Sequence, residues 1–253
     1  MSDVSDIPVK ATRTSIEVLE ALIEQDGATL TELVEQMDLS KSSIHNHLTT
    51  LTRLGFVVRE GWTYRVSLRF LQIGTRARNR FELYQVGVSN VAQLSSASGL
   101  EAGMFVLEGD KVVCLSTTTQ KGVLEPIVGD GDVVPIHCTA PGKAMLAALP
   151  DDRVDVLLDG PLSQYTANTI TTPRSLRERF DVISSQGWAV DREEWKDGVR
   201  GIATAITGPD GKTLGTVGVT GTVGSLSGKR FQQDIPGLVI STRNSIKKEL
   251  KDS

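Results

Sequence analysis

Cysteine, histidine, aromatic residues and long apolar runs are all scarce in this sequence of 253 residues. The two cysteines, Cys114 and Cys138, are too few for a disulfide framework and form no Cys-x-x-Cys motif, so we expect reduced thiols in a cytoplasmic protein. No apolar run approaches the ~18 residues that span a bilayer. The first ten residues, "MSDVSDIPVK", lack the pattern of a signal peptide. The sequence therefore predicts no membrane association.

Catalytic and metal-binding patterns are also missing from the sequence. Of the three histidines, only His137 lies in the second half of the chain. We find no nucleophile paired with a base and no His, Cys, Asp and Glu spacing typical of a metal site. The sequence therefore predicts a protein that is not an enzyme and that uses neither a cofactor nor a metal ion.

Charge is segregated along the chain, although the net charge is only −4. Residues 1–40 carry two basic and nine acidic side chains (2 − 9 = −7), whereas residues 41–80 carry eight basic residues and one acid (8 − 1 = +7). A local basic surface suits a polyanion such as DNA. A solvated helix face would explain the charge run alone equally well. The spacing of the apolar residues, described next, favours a DNA-binding surface.

Helical spacing of apolar residues predicts three short helices before residue 55. The first is predicted over 15–25 with Thr14 or Ser15 as its cap, and the second over about 30–37. Ser40 is a suitable N-cap for the third.

The second and third helices, joined by a turn of about four residues, form a helix-turn-helix. Two strands on either side of Gly61 then form a β-hairpin, the wing of a winged helix-turn-helix.

The third helix presents a polar face without acids. If Ile44, Leu48 and Leu51 face inward, hydroxyl, amide, imidazole and guanidinium groups face outward. These groups bond base edges and phosphates, whereas acids would repel phosphate. The predicted DNA-binding residues, including two from the wing, are Lys41, Ser42, Ser43, His45, Asn46, Thr49, Thr50, Arg53, Arg59 and Arg65.

Three domains are expected: the winged domain over 1–66, linker helices over 67–98 and a further domain over 99–253. The linker is predicted to form one long helix or two, with Gly74 and Gly87 as the positions where a helix is most easily interrupted. The last domain alternates strands with helices, which predicts one sheet with helices packed against it and an α+β fold.

Three stretches along the chain carry a family resemblance: "TLTELVEQMDLSKSSIHNHLTTLTRLGFV", "PIHCTAPGKAMLAALP" and "GWAVDREEWKDGVRGIATAI". A fourth, "GTVGVTG", follows them. Together they resemble the isocitrate lyase regulator (IclR) family of transcription factors over nearly the whole chain. The resemblance implies an α+β protein with an N-terminal winged helix-turn-helix, a linker helix and a C-terminal mixed α/β (GAF/profilin-like) effector-binding domain.

The resemblance also implies a pocket for a small-molecule effector. Carried over by position, the effector-binding residues are Val134, Ala140, Pro141, Gly142, Asp191, Gly201, Gly218 and Thr220. Gly201 stands where the family often has Cys, and Gly218 stands where it often has Ser. We therefore expect a larger, less polar pocket and a bulkier ligand than glyoxylate or pyruvate, such as an aromatic or sugar acid. The N–H groups of Gly142 and Lys143 are expected to hold its carboxylate.

The expected function is sequence-specific binding of double-stranded DNA at a pseudopalindromic operator by a homodimer or homotetramer. A small organic acid would control operator affinity. Repression and activation both stay open, because they depend on where the operator lies relative to the promoter. The alternative is an enzyme that processes a small acid, or a sensor whose winged domain docks a protein partner.

Overall fold

A computed structural model describes residues 7–120 and 126–252. The chain divides into two compact units, Met1–Arg80 and Phe81–Ser253. This division falls inside the segment that the sequence predicts to be a linker.

The first unit contains four helices and a small sheet among its described residues. In chain order the elements are α1 (Lys10–Glu24), β1 (Ala28–Thr29), α2 (Leu30–Gln36), α3 (Lys41–Arg53), β2 (Val57–Glu60), β3 (Thr63–Val66) and α4 (Arg69–Arg78). The strands pair antiparallel in the order β1-β3-β2. The core of the unit includes Leu22, Leu33, Ile44 and Leu48, which are all fully buried. The predicted winged helix-turn-helix is therefore confirmed.

Helix α1 begins five residues earlier than predicted. Thr14 and Ser15 lie inside the helix, where their hydroxyls donate to the carbonyls of Lys10 and Ala11. The N-cap position is Val9, which has no capping hydrogen bond. Thr14 and Ser15 are therefore not the cap that the sequence indicates.

Helices α2 and α3 begin at true capping residues. Thr29 and Glu32 form a reciprocal capping box, in which each side chain accepts a hydrogen bond from the other residue's backbone N–H. The Ser40 hydroxyl accepts from the N–H of Ser43 at 3.2 Å, as predicted for the N-cap of α3. Gly55 takes a φ of +77° just after α3, a conformation that favours glycine.

The predicted linker segment contains two helices, one of the two alternatives that the sequence left open, but neither glycine marks the break between them. Two helices are present, and they are interrupted at Asn79–Phe81, whereas Gly74 and Gly87 lie inside α4 and α5 (Glu82–Ser98). A Cβ on Gly87 would lie 2.4 Å from the sulfur of Met104, so this glycine allows close packing within the second unit.

The second unit is built on a six-stranded antiparallel sheet. After α5, its elements are β4 (Glu101–Glu108), β5 (Lys111–Thr118), β6 (Val133–Val134), α6 (Ala140–Leu146), α7 (Asp151–Leu157), α8 (Pro173–Gln186), β7 (Ala189–Arg192), β8 (Val199–Thr207), β9 (Thr213–Thr222) and α9 (Ile235–Asp252). A short π-helical turn (Arg230–Asp234) precedes α9. The strand order is β6-β5-β4-β9-β8-β7. The predicted α+β fold of one sheet with packed helices is confirmed.

Alternate residues of the central strands face two separate cores. On β8, Ile202 packs with residues of α5 and α9, whereas the next residue, Ala203, packs with residues of α6 and α8. This alternation follows from the two-residue period of a strand. The β8 face that carries Ala203, together with α6 and β7, frames the ligand site described below.

Candidate nucleic-acid interface and ligand pocket

The predicted DNA-binding residues of α3 lie together on its solvent side. Ile44, Leu48 and Leu51 are buried, as predicted, whereas Lys41, Ser42, His45, Asn46, Thr50 and Arg53 are exposed, and Ser43 and Thr49 are half-buried. No acidic residue occurs in α3. The exposed face therefore offers hydroxyl, amide, imidazole and cationic groups, which are the groups that contact phosphates and base edges.

Helix α3 is fixed against α1 by a side-chain contact. His47 is half-buried, and its Nδ1 lies 2.8 Å from the hydroxyl of Ser15. His45, two residues away, points to solvent. His47 therefore supports the orientation of α3, whereas His45 belongs to the exposed face.

The two wing arginines have different surroundings. The Arg59 guanidinium lies over the rings of Trp62 and Tyr64, at 5.3 and 5.5 Å from their centroids, and its Nε donates to the carbonyl of Gly61. Trp62, at the tip of the hairpin, is 80% exposed. Arg65 instead pairs with Asp26 and Glu60 of its own unit, at 3.1 and 3.5 Å. Arg59 is thus placed at the hairpin tip, whereas Arg65 is held by acids.

Six of the eight predicted effector-binding residues line one small pocket in the second unit. They are Val134, Ala140, Pro141, Asp191, Gly201 and Thr220, and Phe105, Val128, Thr139 and Trp195 complete the lining. This set of ten residues is the ligand pocket. Chain position alone gave no indication of Phe105 or Val128. Trp195 adjoins the "DREE" stretch, and it follows Glu194 directly.

Gly218, which was predicted to line the pocket, does not do so. A Cβ at Gly218 would lie 2.3 Å from the Ile202 carbonyl oxygen and 2.7 Å from the Ala203 Cβ, so no side chain fits between β9 and this part of β8. The prediction is wrong because Gly218 lies two residues before Thr220 on β9, opposite Ala203, where the neighbouring strand leaves no room for a side chain.

Gly142, the other predicted residue outside the lining, does not offer its N–H to a ligand. The N–H of Gly142 donates to the Thr139 hydroxyl at 3.2 Å, and the N–H of Lys143 donates to the Thr139 carbonyl at 3.0 Å. A Cβ on Gly142 would lie 2.2 Å from the Ile136 carbonyl oxygen, so glycine is needed for close packing. The predicted carboxylate-binding role of these two N–H groups is therefore wrong.

The ligand pocket is smaller than predicted. Its free volume is about 10 Å³, which is at the lower limit for a single water molecule. The groups missing from Gly201 and Gly218 do not open space. A Cβ on Gly201 would already lie 3.3 Å from the Cβ of Ala140, and Gly218 is packed against Ile202 and Ala203. The lining is nevertheless largely apolar, as predicted.

Asp191 is the buried acid of the ligand pocket. It is 3% exposed, and its Oδ1 accepts from the N–H of Glu194 at 2.8 Å. Burial raises the pKa of this carboxyl to about 7, and the bond from Glu194 and the charge of Lys143 oppose the shift only in part. Near neutral pH a substantial fraction of Asp191 is therefore protonated and able to donate a hydrogen bond.

The turn after Asp191 is fixed by a buried ion pair. The Lys143 ammonium contacts Glu194 Oε1, and both side chains are more than nine-tenths buried. Glu193, which lies between Asp191 and Glu194 in this turn, has a φ of +63°, which is rare for a residue with a side chain. Thr166 and Thr169 donate to the carbonyls of Glu193 and Glu194. These contacts hold Asp191 and Trp195 in place at the pocket.

His137 and Cys138 precede α6 and are both buried. Burial lowers the pKa of His137 and raises the pKa of Cys138 to about 12. Their Nε2 and Sγ are thus poorly suited to act as a base and a thiolate. Within residues 7–120 and 126–252, no group of three His, Cys, Asp or Glu side chains could hold a metal ion. In the same ranges, no helix is long and apolar enough to cross a membrane.

Comparison with protein families gives two matches that together cover most of the chain. The family described as "IclR helix-turn-helix domain" matches residues 15–61, and "Bacterial transcriptional regulator IclR C-terminal" matches residues 75–247. A relative from Halobacterium salinarum, named "Probable HTH-type transcriptional regulator ArcR", is 29% identical over 94% of this chain and 92% of its own length.

Solved structures share the fold. The Thermotoga maritima IclR structure has a TM-score of 0.84 and 21% identity, covering 95% of this chain and 98% of that one. An IclR homologue from Microbacterium hydrocarbonoxydans, solved in complex with 4-hydroxybenzoate, has a TM-score of 0.81 and 17% identity, covering 96% of this chain and all of the other. At these identities the likeness shows the fold.

Proposed function

This chain belongs to the IclR family of bacterial transcriptional regulators, and we propose that its α3 face reads a pseudopalindromic operator while a small carboxylate-bearing metabolite in the ligand pocket controls operator affinity. We propose a homodimer or a dimer of dimers in the cytoplasm as the binding form, because paired recognition helices match the symmetry of such an operator. The family and its C-terminal ligand-binding domain are the premise of this proposal.

The acid-free exposed face of α3 carries the DNA-binding part of the proposal. Asn46 can pair with adenine, and Arg53 can contact guanine or phosphate, so the face combines base reading with phosphate binding. Arg59 at the wing tip adds a cation outside the helix. Arg65 contributes less to this interface, because Asp26 and Glu60 already neutralise it.

Selection of genomic DNA fragments by the purified protein, followed by sequencing, tests DNA binding. We expect enrichment of fragments that share a pseudopalindrome with half-sites about one helical turn apart. Absence of enrichment at low salt, both with and without metabolites from a cell extract, would contradict the proposal. The genes beside the recovered sites would supply the acids to be tested as ligands.

The lining of the pocket supports a proposal for the class of ligand. Phe105 and Trp195 offer flat apolar surfaces, and Asp191 offers a hydrogen bond to an acid group when it is protonated. We propose an aromatic acid, or a sugar acid of similar size. The 4-hydroxybenzoate bound by the Microbacterium homologue supports the aromatic choice. A free volume of about 10 Å³ requires that Trp195 or Phe105 moves when such a ligand enters.

Titration calorimetry with aromatic and sugar acids tests the ligand pocket. We expect Asp191→Ala and Thr220→Ala to abolish the response of operator binding to the ligand while basal DNA binding persists. We also expect ligand binding to change the tryptophan fluorescence, and Trp195→Phe to remove that change. An undiminished ligand response in both pocket variants would contradict the assignment of this pocket.

A further inference from the structure

A second and much larger cavity lies in the Phe81–Ser253 unit, on the other side of strand β7. Its volume is about 570 Å³, which is within the usual range for small-molecule sites. Its apolar lining residues include Val182 and Ile183 of α8 and Trp188 and Val190 at β7. Charged side chains from the same two elements and from their surroundings also line it. We call this cavity the arginine cleft.

The lining of the arginine cleft has more cations than carboxylates. Its cations are Lys143, Arg179, Arg192 and Arg200, and its acids are Glu193 and Glu194 (4 − 2 = +2). Lys143 neutralises Glu194, and Arg200 pairs with Glu193 at 3.0 Å.

Arg179 and Arg192 are left without a carboxylate partner among the described residues. Both side chains belong to exposed residues. Two guanidinium groups thus remain available to an anion.

Two of the cleft arginines lie over the aromatic ring of Phe231. The Arg192 and Arg200 guanidinium carbons lie 4.9 and 5.4 Å from its centroid, and Phe231 is itself buried. Arg200 also donates to the Leu226 carbonyl at 3.1 Å. Stacking and hydrogen bonding reduce the freedom of long side chains, so less entropy is lost when they bind an anion.

We propose that the arginine cleft is a second ligand site, which takes an organic anion with an apolar body. The carboxylate or sulfonate would pair with Arg179 and Arg192, while the hydrocarbon part would cover Trp188 and Val182. The site is distinct from the ligand pocket, because Asp191 lines that pocket, whereas Val190 and Arg192, its neighbours on the strand, line the cleft.

Fluorescence titration of the full chain with 8-anilinonaphthalene-1-sulfonate, an amphipathic aromatic anion, tests this proposal. We expect Arg179→Gln/Arg192→Gln to weaken the tightest binding at least fivefold. The matched control is Arg174→Gln on the same helix. The Arg174 side chain is 92% exposed and pairs with Glu178 at 3.6 Å. This control should leave the affinity unchanged. Circular dichroism checks that the variants are folded.

Two results would overturn the proposal. The first is equal affinity of the wild-type protein and the double variant, which would place the probe elsewhere. The second combines two observations. Sedimentation velocity would show that the double variant associates differently from the wild type, and self-association of the wild type would displace the probe. Together they would make the cleft a contact between copies of this chain. The first result bears on neither operator binding nor the ligand pocket, which are tested separately. The second would also affect operator binding, because the proposed DNA-binding form is a dimer or a dimer of dimers.

Discussion

At the scale of single residues, Asp191 links the ligand pocket to pH. Burial raises the pKa of its carboxyl from 3.8 to about 7, so between these values the folded chain holds a proton that the unfolded chain has released. The contribution of this carboxyl to stability is therefore greatest at low pH, falls as the pH rises through this window, and is smallest above pH 7.

Asp191→Asn removes this titration and isolates its effect. We expect the wild-type protein to lose stability relative to Asp191→Asn between pH 5 and pH 8, as measured by urea unfolding of both proteins. We also expect an acidic ligand to bind the wild-type protein more weakly at pH 8, because the ionised Asp191 repels it. A stability difference that stays constant over this range would contradict the raised pKa.

The buried pair of Lys143 and Glu194 gives a second prediction at this scale. Lys143→Met leaves the Glu194 carboxylate buried without its cation, so we expect the free energy of unfolding to fall by about 3–5 kcal/mol. Adding Glu194→Gln to that variant should recover part of the loss. Urea unfolding of the wild type, both single variants and the double variant gives the coupling. Additive effects of the two substitutions would show that the pair is not coupled.

At the scale of elements, the capping box of α2 gives a prediction about the helix-turn-helix. Thr29→Ala removes the acceptor for the Glu32 N–H, so we expect a loss of about 1 kcal/mol. Thr31→Ala, an exposed threonine inside the same helix, is the matched control and should leave stability unchanged or slightly higher. Equal effects of the two substitutions in thermal or urea unfolding would contradict a capping role for Thr29.

Elements with strong local signals were predictable from the sequence. Helix α3 has the capping serine and the apolar residues at helical spacing that the sequence predicts, and it is followed by Gly55 with a positive φ. Helix α8 likewise begins at Pro173 and is followed by Gly187 with a φ of +89°. In both helices, the boundary is set by residues within the helix or next to it, so the sequence contains the required information.

Elements without such signals were misplaced, as α1 was at its start, or not predicted at all, as was the case for β1. The start of α1 has no capping side chain at Val9, and β1 has only two residues. The lining of the ligand pocket includes Phe105 and Trp195, which lie 90 positions apart along the chain (195 − 105 = 90). The two residues come together only in the folded protein. The volume of a pocket depends on tertiary packing, which cannot be inferred from the residue pattern of a single sequence.

At the scale of the whole molecule, the two units divide the tasks of the regulator. The first carries the exposed acid-free helix face and the wing, and the second carries the ligand pocket and the arginine cleft. Because DNA affinity from phosphate contacts depends on counterion release, we expect operator affinity to fall steeply with salt. Ligand affinity in the apolar pocket should depend on salt much less.

The measurement that tests the central claim most directly is the operator affinity of Arg53→Ala, with Arg174→Ala as a control that removes the same charge from the second unit. We expect Arg53→Ala to weaken binding to a recovered fragment about tenfold, since one base or phosphate contact is worth about 1–3 kcal/mol. The control should bind like the wild-type protein, and ligand affinity should not change in either variant. Equal operator affinities of all three proteins would contradict DNA recognition by the α3 face.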